Sequence, residues 1–236
     1  VPTAHYLMGG VEFEIDCSTA SPGLFAAGED CGGVHGANRL GGNGVANSTV
    51  FGGIAGDAMA AYVAKQTHWR DPDLQVMDQG VARAEYPFSQ PSGPLHELRD
   101  RLATTMWDDV GVLRQQSSMQ RGLASIDQHR SELMRMGVAD GDRRYNVTWH
   151  DWLNLQSLVD MSKVITLSAL ARENSRGAHY REDFPEPGDF ASSCYTRVHG
   201  DVQSLNLEMV PVSFDIVRPG ESLLNEAEST SPSVPA

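Results

Sequence analysis

The chain has 236 residues, 40% hydrophobic and 21% charged, enough to bury a substantial core in one large or two modest domains. Its formal net charge of -13 argues against nucleic acid as a partner, because a phosphate-binding groove needs clustered Lys and Arg. No run of about 18 apolar residues occurs, so the sequence offers no direct membrane span.

Residues 1–65 are rich in Gly and small side chains, and Arg39 is the only Lys or Arg before Lys65. The chain opens Val1-Pro2-Thr3-Ala4-His5, with neither an initiator Met nor a targeting segment, which reads as a fragment or one piece of a divided polypeptide. Gly23–Gly28 reads as a short buried strand after the turn Ser21-Pro22. A glycine-rich loop, Cys31–Gly44, follows, and Val45–Lys65 is long enough for a helix of about five turns. Strand, glycine loop and helix form half of an α/β nucleotide site. Gly52, Gly53 and Gly56 are poor helix residues, tolerable where another element packs very closely.

Residues 66–93 read as a linker, punctuated by Asp71-Pro72, Tyr86-Pro87 and Gln90-Pro91-Ser92-Gly93-Pro94. Residues 94–187 carry three apolar stripes: Leu98 to Met106, then Val112 to Leu133, then Leu153 to Ala171. These pack most simply as a three-helix bundle, with Glu173–Asp183 ending the third helix and Gly177 capping it. Trp149, His150 and Trp152 belong in a core or an interface. In the last segment, 188–236, alternation from Ser192 to Phe214 predicts a β-hairpin or two strands, and the acidic, Ser/Pro-rich end from Pro219 predicts disorder. The fold class is therefore α+β: part of an α/β nucleotide-binding domain, a helical bundle and a short β segment.

Three scattered cysteines, Cys17, Cys31 and Cys194, contain no C-x-x-C pair, so the chain carries no zinc or iron–sulfur site of its own. A reducing, cytoplasmic compartment fits them best. The sequons at Asn47 and Asn146 read as chance. No H-E-x-x-H, nucleophile elbow or Walker loop gives a protease, esterase or nucleotide triphosphatase any footing.

The segment Gly28–Gly44 carries the most chemistry. Its glycines let the backbone approach a ligand, although a mobile loop would look the same. A helix starting near Gly44-Val45 turns free N–H groups and a positive dipole end toward whatever the loop cradles, an end suited to the N1/C2=O edge of an isoalloxazine. No G-x-G-x-x-G fingerprint is present, so the phosphate-cradling half of such a site lies elsewhere. Arg39, between Asn38 and Asn43, suits a carboxylate held bidentately; the other reading has it bonding loop carbonyls. His5 and His35 are donors in the same setting, with a structural role at least as common for a lone His. Glu29, after a strand-end Gly, is placed either to accept from a sugar-like hydroxyl or to cap a loop.

Four stretches then stand together in order: Pro2-Thr3-Ala4-His5-Tyr6-Leu7-Met8-Gly9-Gly10, Gly23–Glu29, His35-Gly36-Ala37-Asn38-Arg39-Leu40-Gly41-Gly42-Asn43, and Glu173-Asn174-Ser175-Arg176-Gly177-Ala178-His179 with Arg181-Glu182-Asp183. Over residues 1–187 the chain resembles the C-terminal portion of the flavoprotein subunit of succinate dehydrogenases and fumarate reductases. The resemblance implies FAD as cofactor, with Glu29 and the backbone at Gly44 and Val45 touching it. It implies His5 and Arg39 as the residues that fix a succinate or fumarate dicarboxylate for hydride transfer. It also implies two partners, an N-terminal flavoprotein portion and an iron–sulfur electron-transfer subunit, with attachment to a membrane only through partner chains. L-Aspartate oxidase-like flavoenzymes share H-G-A-N-R but typically continue Met-Ala-Ser-Asn, and a non-catalytic fragment or assembly module is the further alternative. The family usually has Ser-Leu where this chain has Gly44-Val45, so Gly44→Ser is expected to cost little.

Overall fold

The computed structural model describes residues 5–68 and 71–222. Most of the acidic tail expected to be disordered, from 223 onward, lies outside the described residues, as do Pro2–Ala4 of the first matching stretch. In chain order come α1 (Asn43–Ala64), α2 (Leu74–Glu85), a 3-10 turn at Tyr86–Ser89, α3 (Leu95–Asp108), α4 (Gln116–Leu133) and α5 (Val147–Ala171). Two strands, β1 (Cys194–His199) and β2 (Asn206–Pro211), close the list. The chain is mostly helical with one small antiparallel sheet.

Helices α3, α4 and α5 pack on one another around a single core. Leu98 and Leu102 on α3, Met119, Ile126 and Leu133 on α4, and Trp152, Leu155 and Val159 on α5 are buried, spaced three, four or seven residues apart as one helix face requires. Trp152 is fully buried and its Nε1–H donates to the Met136 carbonyl at 2.8 Å, so its one polar atom is satisfied. Val112, expected at the head of the second stripe, instead precedes α4 and is exposed. His150, expected in a core or interface, is exposed as well.

Within the segment 66–93, expected as a linker, residues 74–89 form α2 and the 3-10 turn. Asp73 caps α2, accepting from the N–H groups of Gln75 (2.9 Å) and Val76 (3.3 Å). The prolines and aromatics after it join the bundle: Pro87 is buried, Phe88 meets the Trp149 ring edge-on, and the Tyr86 hydroxyl donates to the Met134 carbonyl at 2.8 Å. Burial of these rings outweighs the turn propensity of Tyr86-Pro87 and Gln90-Pro91.

The hairpin register pairs Tyr195 with Val210 and Val198 with Leu207, in the region where alternation predicts strands. The expected strand Gly23–Gly28 reduces to one antiparallel bridge, Ser18 with Phe25. A strand needs a partner along its length, and here the pairing ends after Thr19 N–H to Leu24 O and Ala26 N–H to Cys17 O. Helix α1 is apolar on most of its circumference, yet Asn47 and Ala55 are its only buried residues; Val45, Val50, Met59 and Val63 are exposed. No described atom lies within contact distance of a side chain at Gly52, Gly53 or Gly56, so nothing described packs there.

Candidate functional site

The glycine loop delivers the chain to α1 through Gly42, whose φ of 85° is a left-handed conformation suited to glycine. This N-cap offers no side-chain acceptor, and the first turn of α1 has no acidic residue. The N–H groups of Gly44 and Val45 precede the first intrahelical bond, so the positive end of the helix is left uncompensated.

Tyr6 organises the surroundings. The Arg39 guanidinium lies over its ring, Cζ 4.7 Å from the centroid, and the His35 ring meets it edge-on at 5.3 Å. The Tyr6 hydroxyl accepts from Asn47 Nδ2 at 3.2 Å. The same amide nitrogen lies 3.1 Å from the Gly28 carbonyl and 3.2 Å from His35 Nε2. On the remaining side, a Cβ at Gly44 would stand 2.9 Å from Tyr6 Cε2. Two polar atoms here, Arg39 Nε and Asn47 Oδ1, are buried with no hydrogen-bond partner among the described residues, a state that costs about 1–3 kcal/mol per group until something fills it.

The expected site residues fall around this cluster. Arg39 spends Nη1 on the Leu40 carbonyl at 3.2 Å and its backbone N–H on Met8 Sδ, so part of the loop-bracing reading holds. His5 is exposed, with its ring 6.4 Å from that of Tyr6. Glu29 is exposed, and its Oε1 accepts from the Leu7 N–H at 3.0 Å, leaving its second oxygen without a partner among the described residues. Gly44 touches the cluster through Tyr6, and Val45 beside it is 76% exposed. Neither Tyr6 nor Asn47 stands out as a site residue in the sequence. Their signals are an aromatic inside the first matching stretch and an amide one turn beyond Asn43 in a helix of mostly small and apolar residues. Two open depressions, one of about 310 Å³ between α3 and α5 and one of about 280 Å³ beside Val11 and Phe25, do not include Arg39.

The segment after α5 differs from expectation. The helix stops at Ala171, and Gly177 does not cap it. Arg181 does: its fully buried side chain donates Nη1 to the carbonyls of Ala169, Leu170 and Arg172 at 3.0–3.2 Å. Gly177, at φ 56°, instead sits in a tight turn pressed on the loop, where a Cβ would collide with the Ala37 carbonyl. The Ala178 N–H donates to that carbonyl at 3.0 Å. The Arg181 fork holds the Asp183 carboxyl down to about 2, and Asp183 Oδ2 accepts the Gln116 N–H at the start of α4. His179 accepts from Arg114 Nη1 at 2.8 Å through Nδ1 and donates Nε2–H to the Arg172 carbonyl, which fixes its tautomer. Burial, with the charges of Arg114, Arg172 and Arg181 around it, pushes its pKa to about 4.

Comparison with known proteins covers both zones. A family model for the fumarate reductase flavoprotein C-terminal region matches residues 99–224, and one for an FAD-binding domain matches residues 1–45. A fumarate reductase (CoM/CoB) chain of Methanothermobacter marburgensis is 38% identical over 187 residues, 78% of this chain and 33% of that protein. The fumarate reductase flavoprotein subunit of Mycobacterium tuberculosis is 34% identical over 229 residues, 93% of this chain and 39% of that one. Among solved structures, the E. coli quinol fumarate reductase FrdA superposes with a TM-score of 0.82 at 30% identity, over 93% of this chain and 38% of that chain. The chain spans about a third of the length of the curated relatives it matches.

Proposed function

This chain belongs to the fumarate reductase and succinate dehydrogenase flavoprotein family, matching its C-terminal portion, and we propose that it is the dicarboxylate-binding, flavin-facing part of an oxidoreductase that interconverts succinate and fumarate. The observation that carries the reading is Arg39. It is the only Lys or Arg before Lys65, held by its face on Tyr6, with a buried Nε that has no partner among the described residues, in the loop leading to the uncompensated start of α1. In a chain of net charge -13, this pairing of guanidinium and helix N-terminus is a local reversal of sign suited to a dianion.

The residues present fit FAD. The open first turn of α1, the space around Gly36, Gly41 and Gly42, and the orphaned Asn47 Oδ1 leave donors, room and an acceptor for a polar ring edge. Glu29 with its second carboxylate oxygen, and the backbone at Gly44 and Val45, would hold it. When bound, FAD supplies the hydride acceptor or donor. Arg39 and His5 fix and orient the substrate carboxylates, so the protein's contribution is positioning and electrostatics. The reading requires two partners: the N-terminal flavoprotein portion, for the phosphate-cradling half of the nucleotide site, and an iron–sulfur subunit to carry electrons. On this reading the assembly lies in the cytoplasm, peripheral to the membrane through those partners.

The test is to co-produce the chain with the N-terminal flavoprotein portion, record the flavin spectrum, and assay succinate oxidation and fumarate reduction with a dye. A flavin-loaded complex that turns over neither dicarboxylate overturns the reading, and turnover of L-aspartate instead moves it to the oxidase.

A further inference from the structure

We propose that Gly44 and Tyr6 form a positioning unit for Arg39: the absent side chain at 44 gives the Tyr6 ring its place, and the ring face sets the guanidinium plane. The inference rests on the reading of Arg39 as the carboxylate clamp and deepens it. The ring is constrained on four sides, by the Gly44 backbone, the His35 edge, the Asn47 amide at its hydroxyl and the Arg39 cation on its face. Asn47 is itself buried and tied to the Gly28 carbonyl, so the hydroxyl is anchored to the backbone that precedes the loop.

The chemistry of the contact matters. A carboxylate partner would orient Arg39 by consuming its N–H groups and cancelling its charge. An aromatic face orients the guanidinium and takes neither. With Nη1 on the Leu40 carbonyl and Nε buried, Nη2 is the guanidinium nitrogen that remains, among the described residues, for a substrate carboxylate. A Cβ at position 44 would stand 2.9 Å from Tyr6 Cε2, closer than real side chains approach, so any larger residue moves the ring and with it the guanidinium. The glycine at 44 and the tyrosine at 6 are therefore one feature.

The experiment reads Arg39 directly. The chain is treated with phenylglyoxal, and the rate of adduct formation at Arg39 is followed by peptide mass spectrometry, with Arg181 as the buried internal standard. Gly44→Ala and Tyr6→Leu are each expected to raise the Arg39 rate roughly three- to thirtyfold, the span a cation–π contact covers. The double variant should react no faster than Tyr6→Leu alone, because the added Cβ then meets no ring. Tyr6→Phe should recover most of the protection lost in Tyr6→Leu. An unchanged Arg39 rate in Gly44→Ala, full additivity in the double variant, or Tyr6→Phe as reactive as Tyr6→Leu each overturns the unit. If Gly44→Ala alone fails to fold, as a faster Arg181 rate would reveal, the Tyr6→Leu and Tyr6→Phe pair still decides. In the flavin-loaded complex, Tyr6→Leu should raise KM for succinate on the order of tenfold, with kcat affected less. Should Arg39→Lys leave that KM unchanged, the clamp reading falls, while the coupling of positions 6 and 44 is judged separately by the adduct rates.

Discussion

Arg181 and Asp183 meet in a two-bond fork, Nε to Oδ1 and Nη2 to Oδ2, each at 2.7 Å, while the remaining nitrogen of the same guanidinium closes the end of α5. One buried side chain thus joins a helix C-terminus to the carboxylate that caps the start of α4. Arg181→Ala should cost about 1–3 kcal/mol, the range for a buried carbonyl left without its donor, since Asp183 itself is exposed; Arg181→Lys should recover little, since one ammonium cannot serve both partners in fixed geometry. Urea denaturation of the chain measures both; a loss below about 1 kcal/mol in the alanine variant would deny the residue this role.

Acid should weaken the same junction in two stages. The folded pKa of His179 is pushed from 6.5 to about 4, so the unfolded chain binds the proton first as pH falls. Its contribution is complete above about pH 6.5 and is lost progressively down to about pH 4, with a slope of at most about 1.4 kcal/mol per pH unit. Asp183, held from 3.8 down to about 2, adds a second loss between those values. A His179→Gln variant should flatten the first stage alone, as followed by denaturant midpoints across pH. An unaltered slope between about pH 6.5 and 4 would show that another group governs it.

Gly177 reaches the candidate site without touching it. Its turn presses on the Ala37 carbonyl, two residues from Arg39. Gly177→Ala meets both that carbonyl and the strain of φ 56°, so the loop must withdraw. In the flavin-loaded complex, KM for succinate should rise several-fold while the helical bundle keeps its hydrogen-exchange protection. Loss of bundle protection would mean that the turn serves folding and not the loop.

Arg39→Lys keeps the charge and loses the fork. In the completed enzyme it should cost about 1.5–3 kcal/mol of transition-state stabilisation, or roughly one to two decades in kcat/KM for both succinate and fumarate. Gly44→Ser, mild by comparison with related sequences, should also cost activity, because the hydroxymethyl group meets Tyr6. Near-wild-type kcat/KM for Arg39→Lys in both directions would remove the carboxylate clamp.

Periodicity makes the three bundle helices legible: Leu98, Ile126 and Trp152 repeat on faces that only a helix can bury together. Alternation does the same for β1 and β2. Gly23–Gly28 reads wrongly as a strand because strand propensity is local, whereas a strand exists only where a partner lies alongside. The packing of Tyr86 and Phe88 within 66–93 is not legible, because Tyr86-Pro87 signals a turn while the value of burying these rings depends on residues 134 and 149, far along the chain. Arg39, His5, Glu29 and Gly44 attract notice as residue types. Their arrangement around Tyr6, and the part taken by Asn47, depend on side-chain directions that spacing does not carry. The charged run Glu173–Asp183 looks like a solvated helix end, and only the burial of Arg181 reveals it as an internal brace.

The nearly all-round apolar surface of α1 has a thermal consequence. Val45, Val50, Met59 and Val63 are hydrated in this chain, and water around such groups holds excess heat capacity. If the proposed N-terminal flavoprotein portion packs over them, docking should release that water and give a negative heat-capacity change. The measured enthalpy of assembly would then become steadily more exothermic on warming, so a titration at one temperature would misstate what holds the two portions together.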